Sequence, residues 1–324
     1  MQIPIKKTID KIPGGMMVVP LFLGVLVNTF FPQFLKIGGF TTALFSSTAS
    51  STILALFMFL IGSQIHFKLA PKSLKKGALL ISGKFIVGAG IGIVVGKVFG
   101  PAGVIGLSPL AVVAALTNCN GGLYASLASQ YGDETDVGAY ALLSLKDGPF
   151  FTLVALGASG LAQIPLMSLA AVLVPIVIGM ILGNIDPDMR KFLGSSKLLL
   201  IPFFSFPLGA GMNLTTIVKA GGSGIVLGII AAFTGIGAYI LLKLFKEEPI
   251  IGLATGSTAG NAVATPAAVA AIDPTVVAVA TIATAQVAAA CVVSAIICPF
   301  VVSYGFKLFG NYKKIKMSEE AAVV

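Results

Sequence analysis

The sequence predicts an all-α polytopic membrane protein with ten transmembrane helices, arranged as two inverted five-helix repeats. The 324 residues are 56% apolar and 10% charged, with a mean hydropathy of +1.01. The apolar residues form long runs between short basic segments, and glycine, proline and polar residues recur at matching places in the two halves. A soluble domain carries about 25% charged residues. The composition therefore excludes a soluble enzyme, a nucleic-acid-binding protein and a disordered chain.

Ten apolar runs supply the predicted helices, since about 20 helical residues cross a bilayer. They cover residues 14–31, 48–65, 77–99, 107–129, 137–161, 166–185, 198–212, 222–244, 250–271 and 276–304. The run 198–212 is short and contains Pro202 and Pro207, and its loss would change the topology. With ten spans, sixteen basic residues fall on one side of the membrane and only Lys36, Lys97 and Lys219 on the other. This bias predicts that both termini are cytoplasmic.

An internal repeat predicts that residues 1–161 and 162–324 form one five-helix unit each. Matching positions lie 155, 147 and 140 residues apart, in that order along the chain. The clearest matches are Pro20 with Pro175, Gly24 with Gly179, Gly62 with Gly209, Gly88 with Gly235, Asp133 with Asp273, and Thr135 with Thr275. Five is an odd number, so the second unit enters the membrane from the opposite side. Inverted repeats are typical of secondary transporters.

The fourth and ninth runs are predicted to be broken helices that form a substrate site. Residues 117–122 and 256–266 both combine helix breakers with amide and hydroxyl side chains. Unwound backbone is tolerated at membrane depth only where it is buried in protein or lines a cavity, and half-helix ends offer dipoles to a substrate. The alternative is close helix packing through small residues. The predicted substrate residues here are Thr117, Asn118, Asn120, Gly121, Ser257, Thr258 and Asn261, with Thr265 as a minor contributor.

Ionisable residues inside the fifth run are a second candidate. Lys146 and Asp147 lie about ten residues into it, roughly 15 Å deep. Asp147 is the candidate proton carrier, and Lys146 the candidate partner of a substrate carboxylate or of Asp147. Gln286 follows Lys146 by 140 residues and joins the predicted substrate site. The alternatives are a static ion pair that fixes packing, and a helix that starts later and leaves the pair near the interface.

The remaining polar residues near the spans carry weaker expectations. Gln64, His66 and Asn213 are possible minor site residues, although a lone interfacial histidine is more simply solvated. Lys84 is long enough to extend its side chain to the inner membrane surface, and no site role is predicted for it. The three cysteines lack metal-ligand spacing, and no HExxH or GxSxG pattern occurs. No metal, no cofactor and no enzymatic activity are therefore expected.

These motifs resemble one known family over the whole chain, the 2-keto-3-deoxygluconate permeases of bacterial inner membranes. The resemblance is carried by Ile3-Pro4-Ile5-Lys6, Pro13-Gly14-Gly15-Met16, the segments 116–124 and 256–262, and Leu145-Lys146-Asp147-Gly148-Pro149. It implies proton-coupled uptake of a sugar acid across the inner membrane. The five-plus-five plan is also similar to that of the bile-acid sodium symporters, whose crossed fourth and ninth helices lie in a core domain beside a panel of helices one, two, six and seven.

Two alternatives to proton symport stay open at this stage. A sodium-coupled carrier of organic anions would use the same unwound carbonyls, with Thr117, Asn118 and Gln286 near the cation. A channel would not accumulate substrate against its gradient. The expected partners are a small sugar acid, a coupling proton or sodium ion, and the lipid bilayer.

Overall fold

A computed structural model describes residues 4–9, 11, 15–65, 71–143, 146, 148–196 and 199–309. These residues are helical and contain no β-strand. Their helices are α1 (Ile5–Ile9), α2 (Gly15–Phe30), α3 (Gly39–Phe45), α4 (Ala49–Ser63), α5 (Pro71–Phe99), α6 (Pro109–Leu116), α7 (Gly121–Tyr131), α8 (Glu134–Leu143), α9 (Phe150–Ser159), α10 (Leu166–Ile185), α11 (Pro187–Ser196), α12 (Leu200–Ala210), α13 (Leu214–Phe233), α14 (Ile236–Leu244), α15 (Thr265–Ile272) and α16 (Val277–Phe309). Short 3₁₀ segments at Ile250–Thr255 and Gly260–Ala264 precede α15.

Several of these helices are long and apolar enough to cross a membrane. Four described segments qualify by length and composition, namely Pro71–Phe99, Leu166–Ile185, Val218–Leu244 and Pro274–Phe309. Two bent helix pairs raise the number to six if each is one span. Large apolar side chains such as Phe22, Leu166 and Phe300 lie exposed on the helix surfaces, where lipid would cover them. The chain is therefore a multi-pass helical membrane protein.

The predicted fourth, fifth and ninth spans are divided into shorter helices. Residues 107–129 contain α6 and most of α7, and 250–271 contain two 3₁₀ segments and most of α15. The prediction of one helix over 137–161 is wrong, because α8 ends at Leu143 and α9 begins at Phe150. Gly148 has a φ of +116°, which residues with a Cβ rarely adopt, and Pro149 lacks a backbone N–H. Both features interrupt the helix.

Four helices, α2, α4, α10 and α12, pack together and are here termed the flanking group. Within it α2 packs on α12, and α4 packs on α10. Glycine permits both close contacts. A Cβ added to Gly24 would lie 2.2 Å from Phe206 O, and one added to Gly179 would lie 2.0 Å from Phe59 O. The contact therefore recurs between α2 and α12 and between α10 and α4, at glycines 155 residues apart.

The central group consists of α5 to α9 and α13 to α16, with the two 3₁₀ segments. Here α5 packs on α6, α8 and α14, and α13 packs along α16. Gly88 of α5 lies against the end of α6, where an added Cβ would be 2.3 Å from Leu116 O. Gly235 lies in the same way against the second broken region, 2.6 Å from Leu253 O. Each broken region is therefore supported by a glycine of a neighbouring helix.

A buried ion pair joins the start of α5 to the start of α8. Lys76 Nζ lies 2.6 Å from Asp136 Oδ1 and 3.2 Å from Asp133 Oδ1. Burial opposes the ionisation of Asp133, but hydrogen bonds from Thr135, from the backbone of Asp136 and from Lys76 outweigh it and lower the pKa of this carboxyl. We call Lys76, Asp133 and Asp136 the Lys76 cluster.

The Asp133 turn has a counterpart in the second half. Asp273 Oδ1 accepts bonds from Thr275 N at 2.9 Å and Thr275 Oγ1 at 2.6 Å, as Asp133 Oδ1 does from Thr135 N at 2.8 Å and Oγ1 at 2.6 Å. The two aspartates are 140 residues apart, as the sequence repeat requires. The two turns therefore match in their hydrogen bonds as well as in their residue types.

Candidate functional site

The first broken region separates α6 from α7 at residues 117–120. Ser108 accepts a bond from Ala111 N at 3.2 Å and caps the N-terminus of α6, which ends at Leu116. Asn120 Oδ1 accepts a bond from Leu123 N at 3.1 Å and begins α7 at Gly121. Capping side chains supply partners for helix-end N–H groups that the helix leaves unbonded. The break is thus set by residues that the sequence identifies.

The second broken region is longer and lacks side-chain caps at its 3₁₀ segments. Residues 256–259 connect Ile250–Thr255 to Gly260–Ala264, and α15 then begins at Thr265 with Pro266 in its first turn. A 3₁₀ geometry is a poorer helix and is used in short pieces. The backbone carbonyls around Ser257 are consequently available to side chains from other helices.

The two broken regions bond directly to one another. Asn120 N donates to Ser257 Oγ at 3.0 Å, and Thr258 Oγ1 donates to Ala115 O at 3.1 Å. On the far side, Thr258 N donates to Ser294 Oγ of α16 at 2.9 Å. We call this junction the crossover. It brings together residues about 140 positions apart, as expected for a site built from both repeats.

Three buried side-chain oxygens at or beside the crossover have no hydrogen-bond partner among the described residues. They are Asn118 Oδ1, Asn261 Oδ1 and Thr265 Oγ1. The amide nitrogen of Asn118 is used locally, because Nδ2 donates to Ala114 O at 3.1 Å. Buried polar atoms are usually satisfied, and an exception calls for a ligand, water or ion. These oxygens fit the hydroxyl groups of a polar solute.

Thr117 and Gly121 serve mainly to hold the first broken region. Thr117 Oγ1 donates to Val113 O at 2.8 Å and lies 3.1 Å from Thr152 Oγ1 of α9. An added Cβ at Gly121 would lie 2.6 Å from Tyr140 Cε2, so glycine lets α8 approach the start of α7. Both predicted site residues are therefore at the crossover, in positions that fix its shape.

Lys146 reaches the first broken region from the interruption between α8 and α9. Its side chain is buried, and Nζ donates a hydrogen bond to Cys119 Sγ. Asp147, the predicted proton carrier, lies outside the described residues, as does His66. Lys146 therefore brings its amine to Cys119 of the first broken region, although it does so from a break rather than from within a continuous helix.

Lys84 is the site residue that sequence reasoning missed. Its side chain does not extend to the membrane surface, because Lys84 is completely buried and its Nζ bonds to Thr234 Oγ1 and, at 3.2 Å, to Ser257 O. Its position eight residues beyond Lys76 on α5 was the available signal, since the membrane surface is then two helical turns away. The partner carbonyl, 173 positions away, has no local sequence signature.

Gln286, Gln64 and Asn213 are not brought to the crossover. The Gln286 amide nitrogen donates to Gly106 O at 2.7 Å and to Ser223 Oγ at 2.8 Å. Gln64 Nε2 donates to Ser63 Oγ at 2.7 Å and Arg190 O at 2.9 Å, and Asn213 is exposed just before α13. The amides of Gln286 and Gln64 connect helices or helix ends.

Two cavities lie between the flanking and central groups. One of about 280 Å³ is bordered by α4, α10 and α15 and reaches Met58, Pro149 and Ala264. The other, of about 300 Å³, is bordered by α4, α12, α15 and α16. Their walls are mainly apolar, with Ser50 common to both. The first approaches the crossover, because Ala264 adjoins Thr265 and Pro149 follows the Lys146 break.

Comparison with known proteins assigns the chain to a family. A family model described as "KdgT: 2-keto-3-deoxygluconate permease" matches residues 6–311. A relative from Salmonella typhimurium named 2-keto-3-deoxygluconate permease 1 is 51% identical, over 93% of this chain and 95% of its own. Relatives named 2-keto-3-deoxygluconate permease from Pectobacterium carotovorum and Bacillus subtilis are 42% and 38% identical, over 83% and 96% of this chain and 87% and 96% of theirs. The chain therefore belongs to the 2-keto-3-deoxygluconate permease family and is a transporter rather than an enzyme.

Proposed function

We propose that the chain is a secondary active transporter that carries 2-keto-3-deoxygluconate into the cell together with protons. The observation that carries the proposal is the crossover. Three buried side-chain oxygens at or beside it have no hydrogen-bond partner among the described residues, and two buried lysines bond to its two broken regions. A sugar acid has hydroxyl groups that can bond to these oxygens and a carboxylate that can bond to a lysine. The names of the relatives support this substrate.

The proposed substrate contacts follow from the geometry of the crossover. Asn118, Asn261 and Thr265 offer acceptors to substrate hydroxyl groups, whereas Asn120, Ser257 and Thr258 hold the two broken regions together and offer polar groups at their edges. Lys146 neutralises the carboxylate, because a charge-assisted bond is stronger than a neutral one. Gln286 keeps a supporting role in this scheme, since its amide nitrogen is already bonded twice.

The proposed architecture is ten spans in two inverted repeats, residues 1–161 and 162–324, in the bacterial inner membrane with both termini cytoplasmic. The packing of the flanking group supports it, because each helix packs on one from the other half of the chain: α2 packs on α12, and α10 packs on α4. The matched Asp133 and Asp273 turns support it as well. The basic residues support the orientation.

The proposed transport cycle is alternating access between the flanking and central groups. The two cavities lie at the boundary between these groups, and their apolar walls let the surfaces slide without breaking many hydrogen bonds. Rigid-body rocking of one group against the other would move the crossover from one side of the membrane to the other. Binding of the anion and a proton together would lower the net charge that crosses.

Proton coupling is assigned to Asp147, and sodium coupling is the alternative. The decisive experiment is uptake of labelled 2-keto-3-deoxygluconate into proteoliposomes, with pH and sodium gradients imposed separately. We expect accumulation under an inward proton gradient in choline medium. Accumulation that requires sodium at equal pH would contradict proton symport, and uptake that neither saturates nor exceeds equilibrium would indicate a channel.

The Asp147→Asn variant tests the proton carrier itself. We expect it to abolish gradient-driven accumulation while leaving exchange of labelled for unlabelled substrate, because the amide cannot carry the proton. Unchanged accumulation under a pH gradient would remove Asp147 from the mechanism. Asp188→Asn, at an exposed position at the start of α11, is a matched control that should transport like the unmodified protein.

A further inference from the structure

Lys84 lies where a buried positive charge needs an explanation. It is 13 residues from the start of α5, about 20 Å along the helix axis, and completely buried. An ionised amine at this depth is costly unless the protein supplies partners, and such a residue is by default functional.

The partners of Lys84 are two neutral oxygens. Thr234 Oγ1 donates its own proton to Ala231 O at 2.7 Å, so it accepts from Lys84 Nζ. Ser257 O, at 3.2 Å, belongs to the second broken region, where the backbone has left the helical pattern. A released backbone carbonyl is a ligand that transporters use for alkali cations at discontinuous helices, and the hydroxyl oxygen of Thr234 is a second neutral acceptor here.

The charges around Lys84 are also unusual. Lys146, Cys119 and Cys298 are near enough to act on it electrostatically, and no carboxylate of the described residues lies within 4.0 Å of Lys84 Nζ. The ammonium group is therefore held as a lone metal cation would be, by neutral oxygens in a site of low dielectric. Unlike a free cation, the ammonium group cannot leave the site, because the Lys84 side chain is attached to α5.

We propose that the Lys84 ammonium group is a tethered cation that occupies, at the second broken region, the kind of position that unwound carbonyls offer to a free alkali cation in other carriers. The proposal rests on the proposed transport function and refines it. Lys84 bonds to the carbonyl of Ser257 and, when protonated, supplies positive charge to the crossover. Transport is then independent of sodium because the position is already filled.

The test is substrate exchange in proteoliposomes loaded with unlabelled 2-keto-3-deoxygluconate, with the same pH and the same salt on both sides. Choline, sodium, potassium and methylammonium chloride are compared. We expect the unmodified protein to exchange equally in all four salts. Lys84→Ala should fall at least tenfold in choline and recover severalfold in sodium or methylammonium, which fit the vacated position. Lys84→Met, whose side chain fills that space without a charge, should fall equally and not recover.

Lys97→Ala is the matched control, because Lys97 is on the same helix and exposed. It should exchange like the unmodified protein in every salt. Sodium-dependent exchange by the unmodified protein would overturn the proposal without any variant. Full activity of Lys84→Ala in choline, or a loss that no small cation restores, would overturn it as well.

A second measurement separates this inference from the proposed function. The melting temperature of purified Lys84→Ala in detergent should rise in sodium or methylammonium relative to choline, and that of the unmodified protein should not. Failure of the unmodified protein to exchange the substrate would refute the proposed function alone, whereas equal melting temperatures of Lys84→Ala in all salts would refute the tethered cation.

Discussion

Two lysines of α5, Lys76 and Lys84, are buried in the same helix but in opposite chemical settings. Lys76 meets two carboxylates, at 2.6 Å and 3.2 Å, in the Lys76 cluster. Lys84, about 12 Å further along the axis, meets a hydroxyl and a main-chain carbonyl. The first charge is neutralised within the protein, and the second is not neutralised by any described carboxylate at bonding distance.

Under the proposed mechanism, this difference separates a charge that holds helices together from a charge that acts on the substrate. A buried pair with good geometry holds two helices together, and its charge is unavailable to a ligand. A buried cation held only by neutral oxygens keeps its field for an anion that enters the crossover. We therefore expect burial together with neutral partners, rather than burial alone, to mark a residue used in transport.

The largest effect is expected on stability when the Lys76 cluster is broken. Lys76→Met leaves buried Asp136 without its cation, which costs about 3–5 kcal/mol in the free energy of unfolding. Lys75→Met removes a neighbouring pair with Glu247 in which the lysine is 48% exposed, and should cost about 1 kcal/mol or less. Denaturant unfolding in detergent measures both. Equal losses of stability in the two variants would contradict the distinction between the buried pair of Lys76 and the exposed pair of Lys75.

A smaller effect is expected where α5 supports the first broken region. Gly88→Ala places a methyl group 2.3 Å from Leu116 O and should destabilise the protein by about 1–3 kcal/mol, with a loss of transport. Gly90→Ala, two residues later, meets no atom within 4 Å and should be neutral or stabilising by about 0.5–1 kcal/mol. Thermal stability and uptake should be measured together. A tolerated Gly88→Ala would show that the broken region does not depend on this contact.

The next effect should appear in transport and not in stability. Asn261→Ala removes an acceptor that has no described partner, so we expect the apparent affinity for substrate to fall about tenfold with little change in melting temperature. Asn28→Ala removes an amide that donates to Met212 O at 2.7 Å and should do the reverse, losing about 1 kcal/mol of stability with normal transport. Unaltered affinity in Asn261→Ala would take that residue out of the substrate site.

The smallest effect concerns pH and the Asp273 turn, which binds no lysine among the described residues. Hydrogen bonds from Thr275 Oγ1 and from the backbone N–H of Gln163 lower the pKa of Asp273 in the folded protein. A lowered folded-state pKa stabilises the fold above the unfolded value of about 3.9, and this contribution is lost as the pH falls through the folded value. Asp273→Asn should therefore flatten the fall in melting temperature below about pH 4. If the melting temperature of Asp273→Asn falls below pH 4 as steeply as that of the unmodified protein, the Asp273 turn does not contribute to the pH dependence of stability.

The sequence predicted the parts of the site that local chemistry determines. Amide and hydroxyl residues beside helix breakers identified both broken regions, because breakers act on their own backbone. The repeat matched Gly62 with Gly209 and Gly24 with Gly179, although residue identity could not reveal that the glycines of one half contact helices of the other. The Lys84 bond to Ser257 is a long-range contact of the same kind, and no local pattern predicts it.

The prediction of one continuous fifth helix failed for a more local reason. A continuous span over 137–161 was expected from hydropathy, but Gly148 and Pro149 interrupt it, and backbone conformation outweighs apolar character at that point. The count of ten spans stays a prediction for a related reason. Length and composition recognise four to six spans among the described residues, because divided helices are too short to be recognised singly.

The contact of α2 with α12 also governs how the chain is assembled. The Asn28 bond to Met212 joins residues 184 positions apart, and Gly24 closes on backbone that is synthesised long after α2 itself. During synthesis, the face of α2 that carries Gly24 is therefore exposed to lipid until α12 has been made. The face of α4 that carries Gly62 is likewise exposed until α10 has been made. We therefore expect residues 1–161 and 162–324 to reach their final packing only after both have entered the bilayer.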